Sequence, residues 1–559
     1  MFSDEKEYEE RADDIEYEDL ERWTVESEFF KRINKKIIQR GAKLIVGPRG
    51  TGKTHQMKFA YYKCLHNKKL PLAIYVSFNK YYYLEPFLHK APNAIRIFHT
   101  WVLSKILLSC YEFLSDIGES VENLFDDESL SERKNLEILV SQLEKSEFHD
   151  QHEELISKVT IHRIITTIRN LEIKFGRNRT ILLLDDAALN FTPDYLFEFF
   201  DIFRSLKAVN IAPKASVYPA TEYGPRFHVS QDAKDVQCWL NIEDEEYSQF
   251  MSGLINKRLS EDGELPVPKD ITDLLKYASF GVPRRFIGMI RSFIESKGAT
   301  PHQRFNKVIK EQKQFITDEY LSLSRKLPQY RDIIKTGFDL YDEIIDTIVK
   351  ENKKNRKTKQ ITIGLEENKN VKLNRMVKFL IGAGLLYNLS NIRHGKEYER
   401  YIPHLLFLIS ERAFSKGSSF NAREIVKFIK QKSIRYPVRR SFKTLLGEQV
   451  IRNLHLNLPP CNNCKAERLT EEQKFCHQCG NQLVTQSVFE ACMSIPIDEL
   501  PITKLQKKNI KKQIGLKTLE DILSIPDPAT ELQKADYIGE KRSEQIYRAV
   551  IYLKEEFLS

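Results

Sequence analysis

Short apolar runs stand at 44–46 (LIV) and 181–184 (ILLL), with a third strand-like run at 216–220 (SVYPA). Such runs predict strands buried on both faces, the pattern of a parallel sheet rather than a half-exposed one. Between the early strands and the 181–184 run, residues 107–178 place Leu and Ile among charged residues at helical spacing. That spacing predicts a helical insertion serving as a packing layer or partner surface. Further on, KENKKNRKTKQ at 350–360 predicts an exposed loop, because consecutive like charges repel and resist burial. An amphipathic helix is expected over 373–380, then a glycine turn and two strand-like runs joined by RHGK. The last sixty residues divide into halves, each reading as two short amphipathic helices with a turn, at Gly515 and at Ile538–Gly539.

Length and charge sharpen this outline. With 559 residues the chain exceeds one ordinary hydrophobic core, so several domains are expected. No stretch reaches the roughly 18 uncharged apolar residues of a membrane span. The N-terminus carries acids where a signal peptide carries a basic and then an apolar region, so no membrane role and a cytoplasmic location are expected. The net charge of +9 is unevenly spread: residues 1–28 hold 13 acidic and 3 basic side chains, which leaves about +19 on residues 29–559. That balance suits a polyanion partner, with residues 1–28 either an acidic arm competing for the same basic surface or a solvated tail. Cys64, Cys110, Cys238 and Cys492 lie scattered in apolar surroundings and are expected as buried thiols in a reducing compartment.

Two segments carry nucleotide chemistry. GPRGTGKT, comprising Gly47, Pro48, Arg49, Gly50, Thr51, Gly52, Lys53 and Thr54, fits G-x-x-x-x-G-K-[ST] between the 44–46 run and a helix-compatible stretch. A strand, glycine loop and helix N-terminus surround phosphate oxygens with backbone N–H groups, while Lys53 reaches the β- and γ-phosphates of ATP and Thr54 ligates Mg²⁺. The 181–184 run ends in Asp185 and Asp186, where a buried parallel strand emerges at its carboxyl edge. Asp185 is the candidate to hold Mg²⁺ through its water shell, and Asp186 to orient or deprotonate the attacking water.

On these two segments the chain resembles the AAA+ ATPases of the origin-recognition type, over roughly residues 29–300. The resemblance implies a polar first sensor at Thr221, an arginine at Arg226 that reaches a neighbouring subunit's site, and a helical lid. In that lid GVPR at 281–284 is similar to the second-sensor motif, with Arg284 the better candidate and Arg285 its neighbour. One departure stands out: Asp186 occupies a position where most relatives carry Glu, one methylene longer, so hydrolysis is expected to be slow or the residue to serve another role.

Beyond the lid, 373–404 resembles the helix-plus-hairpin end of a winged-helix domain, which such ATPases also carry there. That reading puts Asn374, Arg375 and Lys378 near a DNA groove and Arg393 and Lys396 at a wing tip, while a small packing domain with a solvated basic face is the alternative. CNNCKAERLTEEQKFCHQCGNQL then places Cys461 and Cys464 eleven residues before Cys476 and Cys479. Two such knuckles suit a closed structural Zn²⁺ site of four thiolates, with a disulfide pair the alternative, Gly480 permitting the tight turn and His477 a solvent-facing spacer. The C-terminal halves resemble tandem helix-hairpin-helix motifs, whose turns bind a DNA phosphate, here at Gly539, Lys541 and Arg542. Tyr537 replaces the motif's usual glycine, and a tyrosine resists φ > 0; a protein-docking version of the fold is the alternative.

The expected fold class is therefore multidomain α/β plus α: a P-loop AAA+ core with helical lid, a winged-helix-like domain, a zinc ribbon and a C-terminal helix-hairpin-helix. The expected boundaries are an acidic arm at 1–28, the ATPase core at 29–235, the lid at 236–302 and the winged-helix-like domain at 303–415. A basic helical linker at 416–455, the ribbon at 456–486 and the hairpin domain at 495–559 complete the chain. ATP, Mg²⁺ and structural Zn²⁺ are the expected cofactors. The expected function is an ATP-hydrolysing, DNA-binding protein, a homo-oligomer or one assembled with partner proteins, whose nucleotide state controls assembly on double-stranded DNA. RNA remains open as the polyanion, and a signalling scaffold with a nucleotide switch is the alternative. No spaced acid and lysine cluster of a metal-dependent nuclease is present.

Overall fold

The computed structural model describes residues 15–558 except 16, 79–83, 86, 88–92, 120–132, 146, 148–152, 187–192, 259–265, 299, 355–358, 416–420, 432–436, 462, 471–472, 474, 482, 484–487 and 501. Residues 1–14, half of the acidic arm, thus lie outside the described residues. The remainder of the arm forms α1 (Tyr17–Trp23), followed by α2 (Glu28–Ile38). Ile15, Leu20 and Trp23 make a small cluster against Phe59 and Tyr62, and the Arg258 guanidinium lies 4.7 Å from the Trp23 ring centroid. This part of the arm is therefore packed helix and not a solvated tail: three apolar side chains anchor it despite its acids.

The first sheet orders its strands β2–β3–β4–β1–β5, all parallel. They are β1 (Lys43–Val46), β2 (Leu72–Ser77), β3 (Thr180–Asp185), β4 (Ile211–Val217) and β5 (Lys234–Gln237). Every residue of β3 and β4 is buried, which explains their near-continuous apolar runs. Strand β4 begins and ends earlier than the 216–220 run suggested. Pro213, which lacks a ladder donor, and Lys214 disguise its first half, and Ala220 at φ 63 lies outside it. Lys214 is accommodated because its Nζ donates to the carbonyls of Gln39 (2.8 Å) and Gly41. Burial pushes its pKa down to about 7.

Helices α3 (Lys53–His66), α4 (Ala94–Asp116), α5 (Arg133–Leu143), α6 (Glu153–Lys158), α7 (Ile161–Lys174) and α8 (Pro193–Ser205) fill the connections between these strands. Cys64, Cys110, Cys238 and Cys492 are buried. After β5 come α9 (Tyr247–Arg258), α10 (Lys269–Ala278) and α11 (Pro283–Glu295), then two long helices, α12 (Pro301–Lys326) and α13 (Arg331–Lys354).

Helix α13 carries residues 350–354 of the lysine-rich segment at 350–360, a correction to the expected loop there, while 355–358 lie outside the described residues. Asp346 pairs with Lys350 one turn on, and Asn352 ties the helix end to the returning chain through Gln360 (2.9 and 2.6 Å) and Lys359 (2.6 Å). Opposite charges one turn apart and a buried asparagine offset the like-charge repulsion that argued against helix.

A second sheet, β10–β6–β9–β7 with β8 paired to β9, joins β6 (Ile363–Glu366), β7 (Leu386–Asn388), β8 (Ile392–His394), β9 (Lys396–Pro403) and β10 (Val438–Arg440). It is accompanied by α14 (Val371–Gly382), α15 (Leu405–Ser410), α16 (Ala422–Lys430), α17 (Phe442–Leu446) and α18 (Glu448–Asn453). The C-terminal part contains α19 (Val488–Met493), α20 (Lys504–Asn509) continued by a π-helical turn to Ile514, α21 (Leu519–Leu523), α22 (Pro528–Leu532) and α23 (Glu540–Leu558). One continuous apolar core runs from Phe29 to Phe557, whereas the four-cysteine segment has a small core of its own around Ala466 and Leu483.

Gly281, just before α11, packs tightly against the segment that follows β5. It takes φ +75, and a Cβ there would lie 2.4 Å from the Leu240 carbonyl oxygen. Gly281→Ala should destabilise the chain by about 2–4 kcal/mol, from the left-handed backbone and the overlap together. Thermal unfolding of purified variant and parent checks this, and an unchanged midpoint would contradict it.

Candidate nucleotide site and its surroundings

The phosphate loop follows β1 directly. The Gly47 N–H donates to the Val217 carbonyl of β4 (3.2 Å), fixing where the loop leaves the sheet. Gly50 and Gly52 take φ 81 and 90, backbone that only glycine adopts freely, and Gly52 caps the N-terminus of α3. The loop is further braced by the Thr51 hydroxyl donating to the Pro48 carbonyl (2.9 Å). Lys53 is buried, donates to the carbonyls of Gly47 (2.7 Å) and Pro48 (3.0 Å), and lies 4.7 Å from the Tyr218 ring centroid. Burial lowers its pKa to about 8, opposed by Cys238, Asp185 and Asp186. A poorly solvated ammonium beside open N–H groups is suited to receive phosphate oxygens.

The paired carboxylates emerge from β3, two strands away. Asp185 is fully buried, with Oδ1 accepting from the Asp186 N–H (3.0 Å) and Oδ2 from the Tyr75 hydroxyl (2.9 Å). Asp186 takes φ 55, and its N–H also donates to Ser216 Oγ (3.0 Å). A fixed carboxylate and the Thr54 hydroxyl supply oxygen donors of the kind a hard divalent cation takes, so the donor set fits Mg²⁺. Bound there, the ion would neutralise phosphate charge. The chain's own part is to orient Asp185 through Tyr75 and to set Asp186 at the strand end.

The sensor candidates surround this centre at different distances. The Thr221 hydroxyl donates to the Tyr218 carbonyl (2.8 Å), bracing the turn after β4. Tyr218, whose ring covers Lys53, was not singled out from sequence. Its position as the first residue past β4 is the signal that could have found it. Arg284 adjoins the loop: its N–H donates to the Gly50 carbonyl (3.3 Å), and a Cβ on Gly50 would meet Val282 Cγ1 at 2.9 Å and Arg284 Cβ at 3.0 Å. Arg285 points elsewhere, to His404 Nε2 (3.0 Å) and Glu319 (3.5 Å). Arg226 is 66% exposed and is held at the surface by Asp201 (2.9 Å) and Glu198 (3.8 Å) of α8.

The candidate nucleic-acid residues divide into those on open surface and those against the core. Arg375 and Lys378 of α14 both face Glu222, at 3.4 and 3.2 Å, and Arg375 also donates to the Tyr330 hydroxyl (2.8 Å). Lys378 is about half exposed and Arg375 only 19% exposed. The turn after α14 reaches the phosphate loop itself, since a Cβ on Gly384 would stand 3.4 Å from Pro48 Cβ. Arg393 and Lys396 stand in the β8–β9 hairpin, exposed on either side of Gly395, with Lys396 paired to Glu366 (2.5 Å). Lys541 and Arg542 are exposed in the first turn of α23, which Gly539 precedes. Tyr537 does adopt φ 66, contrary to the resistance expected of its side chain.

The four cysteines converge. Cys461, Cys464, Cys476 and Cys479 place their Sγ atoms within 4.8 Å of one another, with closest pairs at 3.5 and 3.6 Å. Four thiolates about 2.3 Å from a central Zn²⁺ are about 3.8 Å apart, so the set fits that ion. The spacing is far beyond a disulfide bond of about 2.05 Å. Both knuckles share one hydrogen-bond pattern. Lys465 N–H donates to Cys461 O (2.9 Å) as Gly480 N–H does to Cys476 O (3.0 Å). Likewise Cys461 N–H donates to Ala466 O as Cys476 N–H does to Asn481 O. His477 is exposed and is not one of the converging group. With no open ligand position among four cysteines, a bound zinc would hold the two knuckles together and activate nothing.

Residues 9–216 match the family model described as ORC-CDC6-like. The match bears out the resemblance drawn from the phosphate loop and the Asp185 strand. Among solved structures, the Aeropyrum pernix ORC1 protein in complex with DNA aligns at 12% identity and a TM-score of 0.28, covering 68% of this chain and 91% of that one. Drosophila ORC bound to DNA aligns at 12% identity and a TM-score of 0.28, covering 77% and 96%. No curated protein matches the chain. Among the described residues, no helix is long and apolar enough to cross a membrane.

Elemental analysis of protein purified without chelator should return about one zinc per chain, lost in Cys461→Ser and Cys476→Ser. Zinc-free protein as stable as either variant would remove the metal from the account.

Proposed function

We propose, on the premise that residues 9–216 carry the core of an ORC-CDC6-like AAA+ ATPase, that this chain binds double-stranded DNA and that its nucleotide state controls assembly there. ATP sits on the loop at 47–54, Mg²⁺ is held by Thr54 and Asp185, and Asp186 positions the attacking water, slowly because its side chain is short. Arg284 links the nucleotide to the lid and Arg226 serves a neighbouring subunit. The residues that meet DNA are Arg375 and Lys378, the hairpin tip at Arg393 and Lys396, and the turn at Gly539, Lys541 and Arg542.

The observation that carries this reading is a shared contact. Glu222, beside Thr221 in the turn after β4, is paired with Arg375 and Lys378, while Gly384 at the end of the same helical unit abuts Pro48 of the phosphate loop. DNA phosphates and Glu222 would compete for the same two cations. Loading DNA on α14 would release the turn that Thr221 braces, and a nucleotide that shifts the loop would shift α14. An equilibrium biased from both ends in this way is reciprocal coupling.

ATP turnover with and without double-stranded DNA, in parent and Lys53→Ala, is the direct test. Stimulation by DNA that vanishes in Lys53→Ala supports the reading. Turnover indifferent to DNA despite intact ATP binding favours a nucleotide-switch scaffold acting on proteins. Glu222→Gln should raise duplex affinity by about 2–10-fold, the range expected when partly exposed ion pairs no longer compete. It should also bring DNA-free turnover toward the DNA-bound rate, and titrations matching the parent in both respects would refute the coupling.

A further inference from the structure

The turn between α22 and α23 joins a strained backbone to an idle aromatic ring. Tyr537 stands at φ 66, where Cβ crowds the following carbonyl and aromatic residues seldom remain. The preceding hairpin solves the same problem with Gly515 at φ 82, which has no Cβ to crowd. The fold over-determines the Tyr537 turn to keep it. Asn509 Nδ2 donates to the Asp536 carbonyl (2.8 Å), and the Asp536 N–H donates to Gln513 Oε1 (2.7 Å). Gln513 Nε2 donates to the Asp536 carboxylate (2.8 Å), and Arg542 Nη1 donates to the Tyr537 carbonyl (2.8 Å).

These bonds hold in place a ring that is 74% exposed. Among the described residues it has no ring contact and its hydroxyl no hydrogen bond. Strained positions persist where the surrounding structure enforces them, and they gather where a side chain acts on something outside its own core. A ring this exposed is open to a partner outside the chain.

Its neighbourhood states the chemistry. Residues 504–517 contain six lysines and no acid, and Asn509 and Gln513, which bond to Asp536, belong to that segment. Lys507 and Lys511 turn back to Asp498, while Lys508, Lys512 and Lys517 are exposed. On the other side of the turn stand the exposed Lys541 and Arg542. An exposed aromatic ring on a turn bonded to a lysine-rich segment matches a single strand, whose bases offer a free face while its phosphates follow the charge. Stacked base pairs within a duplex offer no such face.

We propose that Tyr537 is a stacking platform for an unpaired DNA base, with the 504–517 lysines along the adjoining phosphates. The inference rests on the DNA-binding reading above, and adds that the C-terminal turn selects single-stranded or forked DNA.

The test uses the full chain with labelled oligothymidine of about 20 nucleotides, a forked duplex and a blunt duplex, read by fluorescence anisotropy. Tyr537→Gly and Tyr537→Ala should weaken the single strand and the fork by about 10-fold and leave the blunt duplex unchanged, while Tyr537→Phe binds like the parent. The thermal midpoint of Tyr537→Gly should equal or exceed the parent's, since glycine relieves the backbone. Parental affinity of Tyr537→Gly for all three probes overturns the platform and leaves DNA binding standing. Equal weakening on all three, or a lowered midpoint, assigns the ring a general or structural role and also overturns it. A parent chain that binds none of the probes sinks the DNA reading together with this one.

Discussion

Burial of the Lys53 ammonium is the constraint on which the nucleotide site depends. A cation out of water requires polar partners close by, and here two loop carbonyls and the Tyr218 ring provide them. Those partners come from the loop after β1 and the turn after β4, so the sheet order that sets these strands side by side is what makes the site possible. Its outer wall is the lid, whose Val282 and Arg284 leave no room for a side chain on Gly50. Core and lid therefore meet on the loop itself, and a change in loop conformation cannot remain local.

The same economy extends through α12 to the second sheet. Arg285, next to the loop-facing Arg284, is buried against His404 and Glu319, so consecutive arginines serve opposite sides of α11. Burial lowers the Arg285 pKa against the opposing effect of Glu319, and the His404 pKa falls well below its ordinary value by burial and by Arg285. His404 therefore stays neutral as the partner of a charged guanidinium. Trp239 of the core stacks edgewise on Tyr387 of β7 at 4.6 Å, and its indole N–H donates to the Phe280 carbonyl. Apolar packing thus backs up the Glu222 ion pairs, so release of α14 would be a matter of degree and not of detachment.

Much of the core was legible because buried parallel strands and glycine loops leave strong local signals. The runs at 44–46 and 181–184 coincide with β1 and β3, and the glycines of the phosphate loop take the backbone that their spacing implied. Legibility failed where long-range contacts decide. No local pattern reveals that Lys214 is satisfied by two carbonyls beyond α2, or that lysines at 350–354 continue a helix whose last turn is tied by Asn352 to Gln360. Nor does the periodicity of α14 say that Arg375 and Lys378 face an acid 150 residues earlier, since an amphipathic pattern gives the polar face but not its neighbour.

Each four-residue knuckle is followed by a residue with positive φ, Gly480 in one and Lys465 in the other. The two C-terminal hairpins show the same division between Gly515 and Tyr537. In both pairs the glycine copy is what a sequence reader looks for, and the other copy reaches the same backbone region with a side chain attached. At Lys465 the enforcing bonds are those that close the knuckle around Cys461, and at Tyr537 they come from Asn509, Gln513 and Arg542. Glycine removes the steric obstacle to a left-handed turn, whereas tertiary hydrogen bonds can overcome it. A missing glycine is therefore weak grounds for rejecting a motif when polar residues stand ready to pin the turn, and the side chain placed there instead is free to act at the surface.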